Sequence, residues 1–191
     1  MKVSEIKVGI FPEGKNAGMP CLIVPFTKGK KAVVMDLDKV VTKILKFDKI
    51  KRILIYGNLS EEPEIKPLIA GLVSQGKHIV FSTSAVDDIG PVRSLPRISF
   101  ILSTKPPTEK GNTLRITNLA LLKEDDELRL IVDNMQDYKD AKVFLGSRNL
   151  VLPTVLFSIN KVSDVEEMVE AYLKDFEMFK FDSKLSKDIL L

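Results

Sequence analysis

A chain of 191 residues, 45% of them hydrophobic, can bury one sizeable core, and its length favours a single domain over 1–191. Its 29 basic and 26 acidic side chains are interspersed and leave a net charge of +3, which is no electrostatic footprint for nucleic acid; no apolar run reaches the roughly 18 residues of a membrane span, and the charged start Met-Lys-Val-Ser-Glu is not a signal peptide. The single cysteine, Cys21, excludes an intramolecular disulfide framework and fits a reducing cytoplasm, and many lysines beside only two glutamines lean towards a thermophilic source.

Ile6, Val8 and Ile10 alternate as in a strand. Phe11–Pro20 reads as a loop with Gly14, Gly18 and two prolines, and Cys21–Val24 as a buried apolar run. Lys28, Lys30 and Lys31 around Gly29 read as a tight solvated turn, with anion binding as the alternative. Leu37, Val40, Val41, Ile44 and Leu45 repeat at helical spacing. Strand Ile53–Tyr56 leads through 57–62 into a helix carrying Ile65, Leu68, Ile69, Leu72 and Val73, which stops near Gly76. Further strands are predicted at about His78–Ser82, Ile98–Leu102, Leu128–Val132 and Pro153–Phe157, with helical stretches near Val86–Leu95, Asn118–Lys123 and Met135–Leu145. Ser163 and Glu166 form a capping box for a last helix reaching about Phe179.

This β-α alternation, with strands written as near-continuous Val/Ile/Leu runs, predicts an α/β fold with a parallel sheet covered by helices. A full eight-stranded barrel takes about 250 residues, so an incomplete, open parallel β/α barrel is expected. In such sheets ligands bind beyond the carboxyl ends of the strands. The candidate ligand-binding residues are therefore Glu13, Gly14, Gly57, Asn58, Thr83, Ser84, Ser103, Thr104 and Lys105. Lys105 stands out, because Ser-Thr-Lys-Pro-Pro (103–107) is a loop whose prolines restrict where it can point. It is read either as a partner for a ligand carboxylate or as an ordinary solvated lysine.

Other reactive side chains have plainer readings. Cys21 opens an apolar strand and is expected to be a small buried hydrophobe, and His78 opens a strand at the end away from the expected site and is expected at the surface. Glu61, Glu62 and Glu64 suit a helix first turn better than a metal. Asp36, Asp38, Asp87 and Asp88 precede helical stretches and read as caps. Neither a catalytic constellation nor a metal site is expected.

The opening MKVSEIKVGIFPEGKNAGMPCLIVPF (1–26), the strand RILIYG (52–57), HIVFSTS (78–84), STKPP (103–107) and Asp126-Glu127-Leu128-Arg129-Leu130 resemble, in order, segments of the 7-carboxy-7-deazaguanine synthases, which are radical S-adenosylmethionine enzymes. The resemblance implies a barrel of the radical S-adenosylmethionine type, a homodimer, and a pocket for a pterin- or deazapurine-like molecule. Such enzymes follow the second strand with a Cys-x3-Cys-x2-Cys loop that holds a four-iron cluster, whereas here Phe26 is followed by Thr-Lys-Gly-Lys-Lys (27–31). The family's Gln-Gly-Glu-Gly reads Phe11-Pro12-Glu13-Gly14, its basic residue late in the second strand is Pro25, and its Gly-Gly-Glu-Pro loop is Gly57-Asn58-Leu59-Ser60. In place of its histidine-containing tail stands Lys184-Leu185-Ser186-Lys187. The expectation is a non-catalytic, cofactor-free relative that binds a small molecule or a partner protein. An enzyme of cluster-independent chemistry in the same pocket is the alternative, and a purely structural subunit the third possibility.

Overall fold

The computed structural model describes residues 1–12, 14–26, 33–58, 63–107, 114–146, 153–159, 165–176 and 183–187. Eight strands form the main sheet: β2 (Lys7–Ile10), β3 (Pro20–Pro25), β5 (Arg52–Tyr56), β6 (His78–Ser84), β7 (Ile98–Thr104), β8 (Glu127–Val132), β9 (Thr154–Ile159) and β10 (Ser183–Lys187). Their spatial order is β10-β9-β8-β7-β6-β5-β3-β2, an open sheet with every pairing parallel except the β2–β3 hairpin. A separate two-stranded ribbon joins β1 (Lys2–Val3) to β4 (Val33–Val34). The helices are α1 (Leu37–Leu45), α2 (Ile65–Ser74), α3 (Gly90–Arg93), α4 (Ile116–Leu121), α5 (Met135–Gly146) and α6 (Val165–Phe176). Among the described residues no helix is long and apolar enough to cross a membrane.

Because side chains alternate between the faces of a strand, the sheet sorts its residues into two apolar layers. Leu22, Val24, Ile53, Ile55, Ile79, Phe81, Phe100, Leu102, Leu128, Leu130, Phe157 and their neighbours pack outward against the helices. A smaller inner cluster holds Phe11, Cys21, Leu54, Val80 and Ile101. The expected parallel α/β architecture is thus present.

Several local expectations change. The stretch 86–95 contains only the four-residue α3, since Pro91 falls in its first turn and Leu95 and Pro96 follow at once. The tail after α6 contains β10, which adds to the sheet beside β9; Ser-Lys-Leu-Ser-Lys has no strong β propensity, and only the open edge of β9 makes it a strand. Ser163 and Phe179, on which the last helix's predicted ends rest, lie outside the described residues. Asp36 precedes α1 without a side-chain cap bond, whereas Asp88 accepts the Gly90 N–H at 3.0 Å. Glu64 lies just before α2 and faces the Met1 ammonium at 3.5 Å.

The predicted stop near Gly76 is a Schellman motif: Gly76, with φ +75°, donates to Val73 O at 2.9 Å, and Lys77 donates to Leu72 O at 3.1 Å. Lys77 then turns its side chain inward. Only 2% exposed, it donates from Nζ to Phe47 O at 2.8 Å and Ile50 O at 2.7 Å, holding the turn between α1 and β5. A second buried polar knot ties α3 to the β7–β8 connection. Asp126 accepts from Phe100 N at 2.8 Å and Lys123 N at 2.6 Å and pairs with Arg93 at 2.9 Å.

Candidate functional site

The parallel strands end together on one side of the sheet, and alternation decides which of their last side chains face the concave interior. Tyr56, Ser82, Ser84, Ser103, Lys105, Arg129, Asp133 and Ser158 fall on the inner parity, shared with Leu54, Val80 and Ile101. Here Lys105 Nζ meets Asp133 Oδ2 at 2.6 Å, bridging the ends of β7 and β8. Its exposed ammonium is held above the usual lysine pKa first by that hydrogen bond and then by the carboxylate's charge. The other carboxylate oxygen, Asp133 Oδ1, is buried without a hydrogen-bond partner. Beside this pair, Arg129 donates through Nη2 to Ser158 Oγ at 3.1 Å, with Ser158 fully buried. Asp133 is oriented in turn by α5: its N–H reaches Asp137 Oδ2 at 2.8 Å, while Asn134 Oδ1 caps the Asp137 N–H at 2.9 Å.

The nine residues singled out from the sequence divide among several places. Ser84, Ser103 and Lys105 belong to the inner mouth. Gly57 and Asn58 follow β5 at the same end, and Gly57 at φ +145° is required there, because a Cβ would lie 2.8 Å from Phe26 Cβ and 2.9 Å from its carbonyl oxygen. Thr83 and Thr104 fall on the outer parity; Thr83 Oγ1 donates to the Asp87 carboxylate, and Thr104 Oγ1 to Lys105 O at 2.8 Å. Gly14 lies at the opposite end of the sheet, because β2 runs antiparallel to β3 and its loop returns to where the parallel strands begin. At φ +79° Gly14 sits against the Glu127 carboxylate at the start of β8, and Lys15 N donates to Glu127 Oε1 at 3.1 Å. Glu13 lies outside the described residues.

The site also contains residues that sequence reasoning passed over. Arg129 and Asp133 stand in and just after a strand that reads as a core run, and strict alternation along 127–133 was the signal that could have assigned them to the interior. Between the two mouths the interior is apolar: Phe11 closes the lower end over Cys21, Leu54, Val80 and Ile101. Cys21 is buried, as expected, and burial pushes its thiol pKa up. His78 is half-buried on the inner parity, with Nε2 3.4 Å from Ser99 Oγ, rather than at the surface.

No group of three His, Cys, Asp or Glu side chains among the described residues is arranged to hold a metal ion. Two surface grooves, of about 500 Å³ and 350 Å³, lie away from the strand ends; they share Val33, Met35 and Lys43 between the small ribbon and α1.

No family model matches the chain. A 7-carboxy-7-deazaguanine synthase from Koribacter versatilis (strain Ellin345) is 26% identical over 184 residues, which cover 86% of this chain and 76% of that protein. The crystal structure of QueE from Escherichia coli has the same fold, with a TM-score of 0.70 at 14% identity over 96% of this chain and 93% of that one. A sequence likeness that runs through most of both chains supports membership of the 7-carboxy-7-deazaguanine synthase family, and the structural match shows the same fold.

Proposed function

We propose that this family member works without an iron–sulfur cluster, as a non-catalytic protein that binds a small polar molecule at the inner mouth. The observation that carries the reading is the thiol count: Cys21 is the only cysteine, and it is 0% exposed among Phe11, Leu54 and Val80. A cluster held by three thiolates does not fit this donor set. The anchor that such a cluster would offer S-adenosylmethionine is lost with it.

The mouth itself suits a flat, nitrogen-rich ring of pterin or deazapurine type. Such a ring alternates N–H donors with carbonyl and imine acceptors. Asp133 Oδ1 is a buried acceptor in want of a donor, while Ser82, Ser84, Ser103 and Arg129 share its inner parity on β6, β7 and β8. Lys105, held on Asp133, is placed to exchange that partner for a ligand carboxylate. The apolar floor of Phe11, Leu54, Val80 and Ile101 would exclude water beneath the ring.

Anaerobic reconstitution with iron and sulfide, followed by metal analysis and calorimetry with S-adenosylmethionine, tests the first half of the reading. The expected outcome is a colourless protein with background iron and no measurable heat of binding. Stoichiometric iron with a charge-transfer band, or micromolar binding of S-adenosylmethionine, would overturn it. Native mass spectrometry for a co-purified ligand, lost on Asp133→Ala, tests the second half. A homodimer is proposed on the outer surface of α5 and α6, two helices joined by the Tyr138–Asp175 hydrogen bond, on which Val143 is 71%, Leu173 63% and Phe176 49% exposed.

A further inference from the structure

The N-terminal mouth of the barrel carries a second polar cluster, outside the ligand site just described. Three adjacent parallel strands begin there with basic residues: Arg52 opens β5, His78 opens β6, and Arg97 directly precedes β7. Arg52 and His78 are opposite each other in the register, and the Ile79–Ile98 pairing puts His78 beside Arg97. With neighbouring strands about 4.8 Å apart, all three side chains leave the backbone within about 10 Å.

The conformation of Arg97 is the second observation. It is the one non-glycine residue with positive φ among the described residues, at 54°. Its carbonyl accepts the Ile79 N–H at 2.9 Å, which locks the backbone in place. A glycine or asparagine would adopt this geometry with less strain. Strain of this kind collects at ligand clamps.

Arg52 is half-buried and braced, its Nε donating to Asn16 Oδ1 at 3.1 Å. That bond leaves the two Nη groups of the guanidinium fork to face a ligand, and no other hydrogen bond to Arg52 is present among the described residues. Burial is the main reason the His78 pKa lies below its usual value; the charge of Arg52 comes next, with Asp125 opposing it and Arg97 adding to it. The cluster therefore carries positive potential that its own acids do not cancel.

We propose that Arg52, His78 and Arg97 bind a small phosphate-bearing anion at the N-terminal mouth. Two guanidinium forks and an imidazole suit a tetrahedral, doubly charged oxyanion, whereas a monocarboxylate is satisfied by one fork. His78, the only histidine, reports on the site directly through its ring protons. Proton NMR at constant ionic strength, titrating inorganic phosphate, pyrophosphate and acetate in turn, is the test. Phosphate and pyrophosphate should shift the His78 resonance saturably and raise its titration midpoint. Arg97→Gly and Arg52→Gln should each weaken binding by about ten-fold or more; the glycine suits the left-handed backbone, so that variant keeps its fold. No saturable shift up to about 20 mM phosphate, an Arg97→Gly protein that responds like the parent, or acetate that binds as well as phosphate would each overturn the assignment.

Discussion

Lys77→Met tests whether a buried ammonium, rather than helix propensity, holds the turn that launches the second half of the sheet. Methionine keeps most of the stem volume and removes the charge that bridges Phe47 O at 2.8 Å and Ile50 O at 2.7 Å. Each charge-assisted bond contributes about 1.5 kcal/mol at the low end of its range, so about 3 kcal/mol is lost. Removing the ammonium also relieves its desolvation, the main cause of its lowered pKa; allowing about 1 kcal/mol for that relief leaves a net loss of about 2 kcal/mol. For a chain of this size each kcal/mol shifts Tm by about 2–4 °C, giving a drop of about 4–8 °C. Calorimetry and urea unfolding of parent and variant at pH 7 provide the measurement. A Tm within about 1 °C of the parent would refute the reasoning, and would mean that Phe47 N to Ile44 O and Ile50 N to Phe47 O hold the turn unaided.

Without phosphate, His78 should titrate below the usual 6.5, since burial and the neighbouring arginines disfavour its charged form. A depressed folded value means that its contribution to stability is complete above 6.5 and is lost as the pH falls through the folded value; His78→Asn should flatten that part of the stability curve, and a midpoint above 6.5 would contradict this. Gly14→Ala should cost about 2–3 kcal/mol in urea unfolding, since it adds left-handed strain and drives a Cβ into the buried Glu127 carboxylate. Gly18→Ala, at nearly the same φ with nothing within 4 Å, should cost only about 1 kcal/mol, and equal losses would disprove the steric argument. Light scattering should give twice the 21.4 kDa chain mass, falling to the single chain in Leu173→Lys; a monomeric parent would refute the dimer.

Much of the architecture was readable locally. Ile53–Tyr56, the Ile65–Val73 helical stripe and the stop at Gly76 each carry their periodicity or punctuation within about ten residues, and β5, α2 and the Schellman turn stand where those signals put them. The likeness of STKPP and of 126–130 to the synthases likewise led to the fold that is found and to the proteins this chain is similar to. The candidate site was legible only in outline. Looking at strand ends led to Ser84, Ser103 and Lys105, which fall at the inner mouth, and to Thr83 and Thr104, which fall on the outer parity; Arg129 and Asp133, also at the inner mouth, were absorbed into a core run.

The sequence by itself determined the order of strands and helices apart from the β1–β4 ribbon and β10, the buried state of Cys21, and the presence of a single cysteine, because these depend on local pattern and on counting. The direction of β2 and the face presented by each strand end were decided only in three dimensions. The antiparallel hairpin carried Gly14 to the far mouth, against Glu127 more than a hundred residues away. Pairing between strands joined Lys105 to Asp133 and lined up Arg52, His78 and Arg97. Side chains alternate with a period of two, so an uncertainty of one residue in a strand's end exchanges the interior for the helix layer. Only the long-range register of the sheet removes that uncertainty.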